Sequence, residues 1–130
     1  MKETRTHRAV GDLGENAVIR YLKLRGYHIL DRNYTVRGGE IDIIATRFSY
    51  IVFVEVKTRK ASTDTEKYGR AQDAVNAEKR AHIRYAASRY ITNFRMYDLK
   101  PRFDIAEVYY KEKPSGKLTF HIHYRKEAFL

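Results

Sequence analysis

The chain has 130 residues, a length that suits one compact domain with a single core. It contains no cysteine, which excludes disulfides, thiolate nucleophiles and Cys-ligated zinc and fits a reducing cytoplasm. Lysine and arginine total 26 against 16 acids, a formal net charge of +10, and such a surplus favours polyanionic partners, nucleic acid first among them.

The basic N-terminus, Met1 to Val10, has no apolar stretch behind it and does not read as a secretory signal. From Arg8 to Arg25, apolar residues (Val10, Leu13, Ala17, Val18, Tyr21, Leu22 and Leu24) recur at helical spacing, and Gly26 stands where a C-cap glycine is expected. Three strands follow. Tyr27–Tyr34 is rich in aromatic and aliphatic residues; Glu40–Thr46 and Tyr50–Thr58 are dense in isoleucine and valine, with a turn at Arg47–Ser49. The longest aliphatic or aromatic run, Tyr50–Val54, is too short to span a bilayer, so a cytoplasmic protein with no membrane partner is expected. Arg59–Arg70 is polar and irregular. Ala71–Phe94 predicts a second helix with Ala71, Val75, Ile83, Ala86, Ala87 and Tyr90 on one face. Arg102–Lys111 and Lys117–Tyr124 predict a closing hairpin around a type I turn at Lys113–Gly116. The expected architecture is a single α/β domain over 1–130, core about 8–124. A mixed central sheet is flanked by helices, in the order α-β-β-β-α-β-β.

Alternation places Ile41, Ile43 and Ala45 on one face of the second strand and Glu40, Asp42 and Ile44 on the other. In the third, Phe53, Glu55 and Lys57 share a face. A hairpin centred on Phe48-Ser49 opposes residues whose numbers sum to 97: Ile44 with Phe53, Asp42 with Glu55, Glu40 with Lys57. Facing carboxylates have Cβ atoms roughly 5 Å apart and repel each other. A hard divalent cation converts that repulsion into attraction, and Mg²⁺ is satisfied by one or two carboxylates, waters and phosphate oxygens. Lys57, one pleat along, is suited to orienting or deprotonating a water, or to neutralising phosphate charge. Both acids interrupt aliphatic runs, where charges rarely enter without a partner or a task.

Asp42 followed after a hairpin by Glu55-Val56-Lys57 resembles the signature of the PD-(D/E)XK nuclease superfamily. More closely, Gly14-Glu15, Gly26-Tyr27, Gly39-Glu40-Ile41-Asp42, Phe53 to Arg59, Tyr68-Gly69, Ala74-Val75 with Lys79, and Arg102-Phe103-Asp104 resemble the bacterial YraN-like family, over about residues 8–108. That family is in turn similar to archaeal Holliday junction resolvases. Glu40-Ile41 precedes Asp42 where the superfamily name has proline. The resemblance implies a restriction-endonuclease-like core, metal ligation by Asp42 and Glu55 with the Val56 carbonyl, water handling by Lys57, and an accessory acid on the first helix, Glu15. It also implies Mg²⁺, with Mn²⁺ as a substitute, and a homodimer.

Among supporting residues, Glu40 is expected to pair with Lys57. Lys79 interrupts the second helix's apolar stripe and is read as a phosphate ligand, as the family pattern suggests. Arg59, Arg70 and Arg80, with Arg20, Lys23 and Arg84, are candidates for the DNA backbone. Asp104 reads as a structural partner of an arginine. His121 and His123, lacking a third ligand, read as surface or cross-strand residues. With no helix-turn-helix or zinc-finger signature, recognition of branched, flap or junction DNA by shape is expected. The alternative is a non-catalytic nucleic-acid-binding module that retains the fold. A retaining glycosidase would also use such a carboxylate pair, but the charge and Lys57 argue against it; no sequence feature excludes a protein-interaction adaptor.

Overall fold

The computed structural model describes residues 7–61 and 76–130. Helix α1 (His7–Leu24) buries Val10, Ala17, Val18 and Leu22, while Leu13 and Leu24 of the predicted stripe are exposed at its margin. It ends at Gly26, whose φ of 85° lies in the left-handed region. There the Gly26 N–H donates to the Lys23 carbonyl and the Tyr27 N–H to that of Leu22. Leu22 and Tyr27 pack in one cluster, the apolar contact that accompanies this kind of helix end.

Strands β1 (His28–Val36), β2 (Gly39–Arg47) and β3 (Tyr50–Lys60) form an antiparallel meander. Helix α2 (Ala77–Phe94) carries the chain across so that β4 (Lys100–Glu112) runs parallel to β3, and β5 (Leu118–Phe129) returns antiparallel to β4. The five strands lie in chain order in one mixed sheet, and the fold is the α/β arrangement α-β-β-β-α-β-β.

Most element ends shift by a residue or two from the sequence expectation, and three of the differences have a local cause. Helix α2 starts at Ala77, not at Ala71. Asn76 is extended and its side chain accepts the Lys79 N–H, so it caps the helix; Ala71 and Val75 lie outside the described residues. Strand β1 continues to Val36 because Gly38, at φ 94°, lets the chain reverse within a short turn. Strand β5 continues past Tyr124 to Phe129. Its charged Arg125-Lys126-Glu127 stretch hides a bulge, in which Glu127 adopts φ 50° and gives its N–H to Asp104, before Phe129 stacks on Phe103 at 5.2 Å.

Each sheet face carries one helix. Val18 and Leu22 of α1 pack on Ile43, Ala45, Val52 and Val54; Ile83, Ala86 and Tyr90 of α2 pack on Ile44, Ile51 and Phe53. Burial on both faces explains why Ile51–Val54 is continuously apolar rather than alternating. Among the described residues, no helix is long and apolar enough to cross a membrane.

Candidate active site

The β2–β3 register is the expected one, from Arg47 opposite Tyr50 to Ile43 opposite Val54, and there it stops. The next pair would be Asp42 and Glu55. At this point the Val56 N–H, which a continued ladder would give to a β2 carbonyl, donates instead to Asp42 Oδ2 at 2.8 Å. A side chain thus stands in for main chain and the two strands part. The interruption also corrects the expected alternation: Ile43 and Ala45 lie on the α1 side, but Ile41 packs with Ile44 on the α2 side. Strand β3 keeps its alternation through Val52, Val54 and Val56 on the α1 side.

Asp42 sits in this fork, reached by acids from both faces. Burial, then the charge of Glu55, push its carboxyl up to about 7; the Val56 N–H opposes this, and Glu15 adds to it. Glu55, only 5% exposed, turns toward α2, where its Oε1 lies 3.3 Å from Lys57 Nζ and 3.4 Å from Lys79 Nζ. Lys79 therefore interrupts the apolar stripe of α2 in order to reach a buried acid.

The expected pairing of Glu40 with Lys57 is not what forms. Once the ladder ends at Ile43, nothing holds Glu40 across from β3; it lies exposed, opposite Thr35 of β1, and Lys57 turns to Glu55.

Both helices approach the fork closely because glycine stands where each touches the sheet. A Cβ on Gly14 would overlap the Thr58 hydroxyl, and one on Gly39 would overlap the His82 carbonyl. The first contact brings Glu15 beside the site. Burial raises the pKa of Glu15, Arg32 opposes the rise, and Asp12 and Glu40 add to it. Arg32 lies 3.6 Å from Glu15 Oε1, a buried atom with no hydrogen-bond partner, and also donates to Asn16 Oδ1 at 2.8 Å. Sequence reasoning missed Arg32; its signal was a polar Asp31-Arg32-Asn33 run inside a strand.

The remaining predicted residues spread outward. Arg59 is exposed at the end of β3, Arg20 and Lys23 on α1, and Arg80 on α2 with its guanidinium 5.9 Å from the Phe129 ring centroid. Arg84 donates to the Leu130 carbonyl at 2.7 Å. Arg70 lies outside the described residues. Asp104 is a structural partner of an arginine, as expected: fully buried, it accepts from Arg102, from the Tyr124 hydroxyl at 2.6 Å and from the Glu127 N–H at 3.0 Å. His123 pairs across the strands with buried Glu107, and His121 is exposed.

Among the described residues, no three or more His, Asp or Glu side chains converge as a ready-made metal cage. Two carboxylates with an acid in reserve suit a hard cation that keeps most of its waters, and do not suit zinc. Asp42 Oδ1 and Glu55 Oε2 are the oxygens not engaged by the hydrogen bond and ion pairs described above.

The family described as "Uncharacterised protein family UPF0102" matches residues 14–108 of this chain. A UPF0102 protein of Acetivibrio thermocellus is 42% identical over 123 residues, covering 94% of this chain and 92% of the relative. One from Alkaliphilus metalliredigens is 40% identical over 123 residues, covering 94% and 98%. One from Trichlorobacter lovleyi is 44% identical over 103 residues, covering 78% of each.

Proposed function

Given that the chain belongs to the UPF0102 family, we propose that it is a divalent-metal-dependent nuclease of the PD-(D/E)XK type, hydrolysing phosphodiester bonds in DNA. The observation that carries this reading is the fork itself. A buried Glu55 and a half-buried Asp42 meet where a strand pair opens, and burial with the neighbouring charge pushes the Asp42 carboxyl up to about 7. Such a pair gains stability from a cation and loses it without one.

Asp42 and Glu55, with the Val56 carbonyl, would hold Mg²⁺ or Mn²⁺, which supplies Lewis-acid stabilisation of charge on a phosphate and lowers the pKa of a bound water. Lys57, its ammonium beside Glu55, orients the attacking water and offsets phosphate charge. Lys79 reaches the same acid from α2 and exchanges that contact for a phosphate oxygen when DNA arrives. Glu15, with one buried oxygen lacking a hydrogen bond, accepts a water at the α1 side of the fork. The +10 charge supplies sequence-independent attraction to the DNA backbone, so selectivity rests on DNA shape, with branched, flap or junction substrates preferred.

A second reading is a non-catalytic DNA-binding module. The two lysines on Glu55 favour it, since they neutralise the acid from within the chain. One panel separates the two: supercoiled, single-stranded, flap and four-way-junction DNA with Mg²⁺, Mn²⁺ or EDTA, for wild type, Glu55→Ala and Lys57→Ala. Metal-dependent cutting lost in both variants supports the nuclease. Cutting that survives EDTA or both substitutions, or calorimetry showing no metal binding to wild type, overturns it. A module that only binds would hold DNA more tightly in the Glu55→Ala variant and cut nothing.

A further inference from the structure

We propose that a cavity of about 360 Å³ beside the β4–β5 hairpin holds a phosphate group of the nucleic acid, next to the candidate active site on the same sheet face. The inference rests on the DNA reading above for the class of its ligand and adds a place where that ligand is held.

Strand register fixes where the cavity lies. Partners on neighbouring strands project from one face, and residues two apart on a strand share it. Lys57 on β3, Glu107 on β4 and His123 on β5 form one row. Arg59, Tyr109 and His121 form the next, and Lys111 with Thr119 the one beyond. Rows lie about 7 Å apart, close to the separation of successive phosphates along a nucleic-acid strand. The lining includes Tyr109, Lys111, Thr119, His121 and His123. The cavity therefore opens in the row of Lys57, two strands or about 10 Å across at backbone level, and runs away from the fork. Helix α2 lies over β1 and β2, to the side of these rows.

What this part of the face presents to solvent is positive. The acids of β3 and β4 on this face are withdrawn: Glu55 is 5% exposed and holds Lys57 and Lys79, and Glu107 is 1% exposed. Arg59, Lys111, Thr119 and His121 are exposed, and so is most of the His123 ring. Tyr109 is buried beneath them, and the Phe120 ring packs on the opposite face with the α1 cluster, so the groups that meet a ligand are polar.

Glu107 also orients a donor. Its Oε2 lies 3.5 Å from His123 Nδ1 and 3.4 Å from the Tyr109 hydroxyl, and its Oε1 lies 3.7 Å from Arg125 Nη1. A carboxylate at Nδ1 turns Nε2 outward. With a phosphate oxygen there, the imidazolium has an anion at each nitrogen and both N–H groups donate. Lys111 adds an ammonium from β4 and His121 a second ring from β5, so one phosphate meets donors from two strands.

The test measures DNA binding by the full chain in EDTA, so it does not depend on cutting. Fluorescence anisotropy follows a short labelled duplex over a salt series, for wild type, Lys111→Ala, His121→Ala and Lys100→Ala. Lys100 and Lys111 are exposed near opposite ends of β4, about 36 Å apart along the strand. Lys111→Ala is expected to weaken binding about three- to tenfold at low salt and to lower the slope of log affinity against log salt by about one. His121→Ala should weaken binding in the same sense. Lys100→Ala removes the same charge and should change affinity less than about twofold. The duplex is used with and without terminal phosphates. A Lys111 effect that persists without them makes the occupant a backbone phosphodiester, and one that vanishes makes it a terminal phosphate. Equal losses in Lys111→Ala and Lys100→Ala overturn the subsite and leave charge attraction alone. So does an unchanged Lys111→Ala, or a wild type that does not bind the duplex. Each of these leaves the nuclease reading to be judged by metal-dependent cutting, whereas cutting without metal would sink the nuclease and leave the subsite.

Discussion

Asp42→Asn replaces a carboxylate that is penalised in the metal-free fold with an amide of nearly the same shape, whose oxygen can still accept the Val56 N–H. The carboxyl's pKa rises from 3.8 to about 7, first through burial and then through Glu55. At about 1.4 kcal/mol for each unit of pKa, full ionisation costs the fold about 4 kcal/mol. Water entering a fork that is open on one side lowers this, and the expected gain from the substitution at pH 8 is about 1–3 kcal/mol. The sign follows from linkage. A group whose pKa is higher in the folded state contributes its stability below pH 3.8 and loses it as pH rises through about 7. Urea denaturation in EDTA at pH 5 and pH 8 should therefore show a stability advantage of Asp42→Asn that grows with pH. Adding Mg²⁺ at pH 8 should restore the wild type and do little for the variant. An advantage that is equal at both pH values, or a variant less stable than wild type at pH 8, would refute the argument that these acids repel across the fork.

Gly14→Ala drives a methyl into the Thr58 hydroxyl; we expect a loss of about 1–3 kcal/mol in thermal denaturation. Arg102→Ala strips a buried carboxylate of its cation, leaving only the Tyr124 hydroxyl and the Glu127 N–H on Asp104, and should destabilise by about 3 kcal/mol or more. Lys79→Ala removes one of two ammonium groups from Glu55, so Mg²⁺ affinity by calorimetry should rise up to about fivefold while any cleavage rate falls.

The order of elements, the hairpin register and the two acids were legible because each leaves a local mark. Runs dense in isoleucine and valine set the strands, Phe48-Ser49 set the turn, and the charges stood out inside aliphatic runs. Asp104 was legible for the same reason, with Arg102 two residues away to partner it. What was hidden arises between segments remote in sequence. The end of the β2–β3 ladder depends on a side chain taking a main-chain donor, which no periodicity records. The pairing of Lys57 with Glu55 rather than Glu40 follows from that ending, and Lys79 reaches Glu55 only because α2 returns over the sheet. Arg32 was overlooked because a charged residue on an edge strand looks like any other until Glu15 is seen beside it.

The Val56 amide, hydrogen-bonded to Asp42 rather than to another strand, is a natural spectroscopic probe of the fork. Its proton chemical shift follows the charge on one carboxylate. In a nitrogen–proton correlation spectrum, a single backbone peak would then trace the titration of Asp42 and the arrival of a cation. It would do so without a substrate or a substitution, while the amides of Ile43 to Thr46, deep in the ladder, stay still as an internal reference.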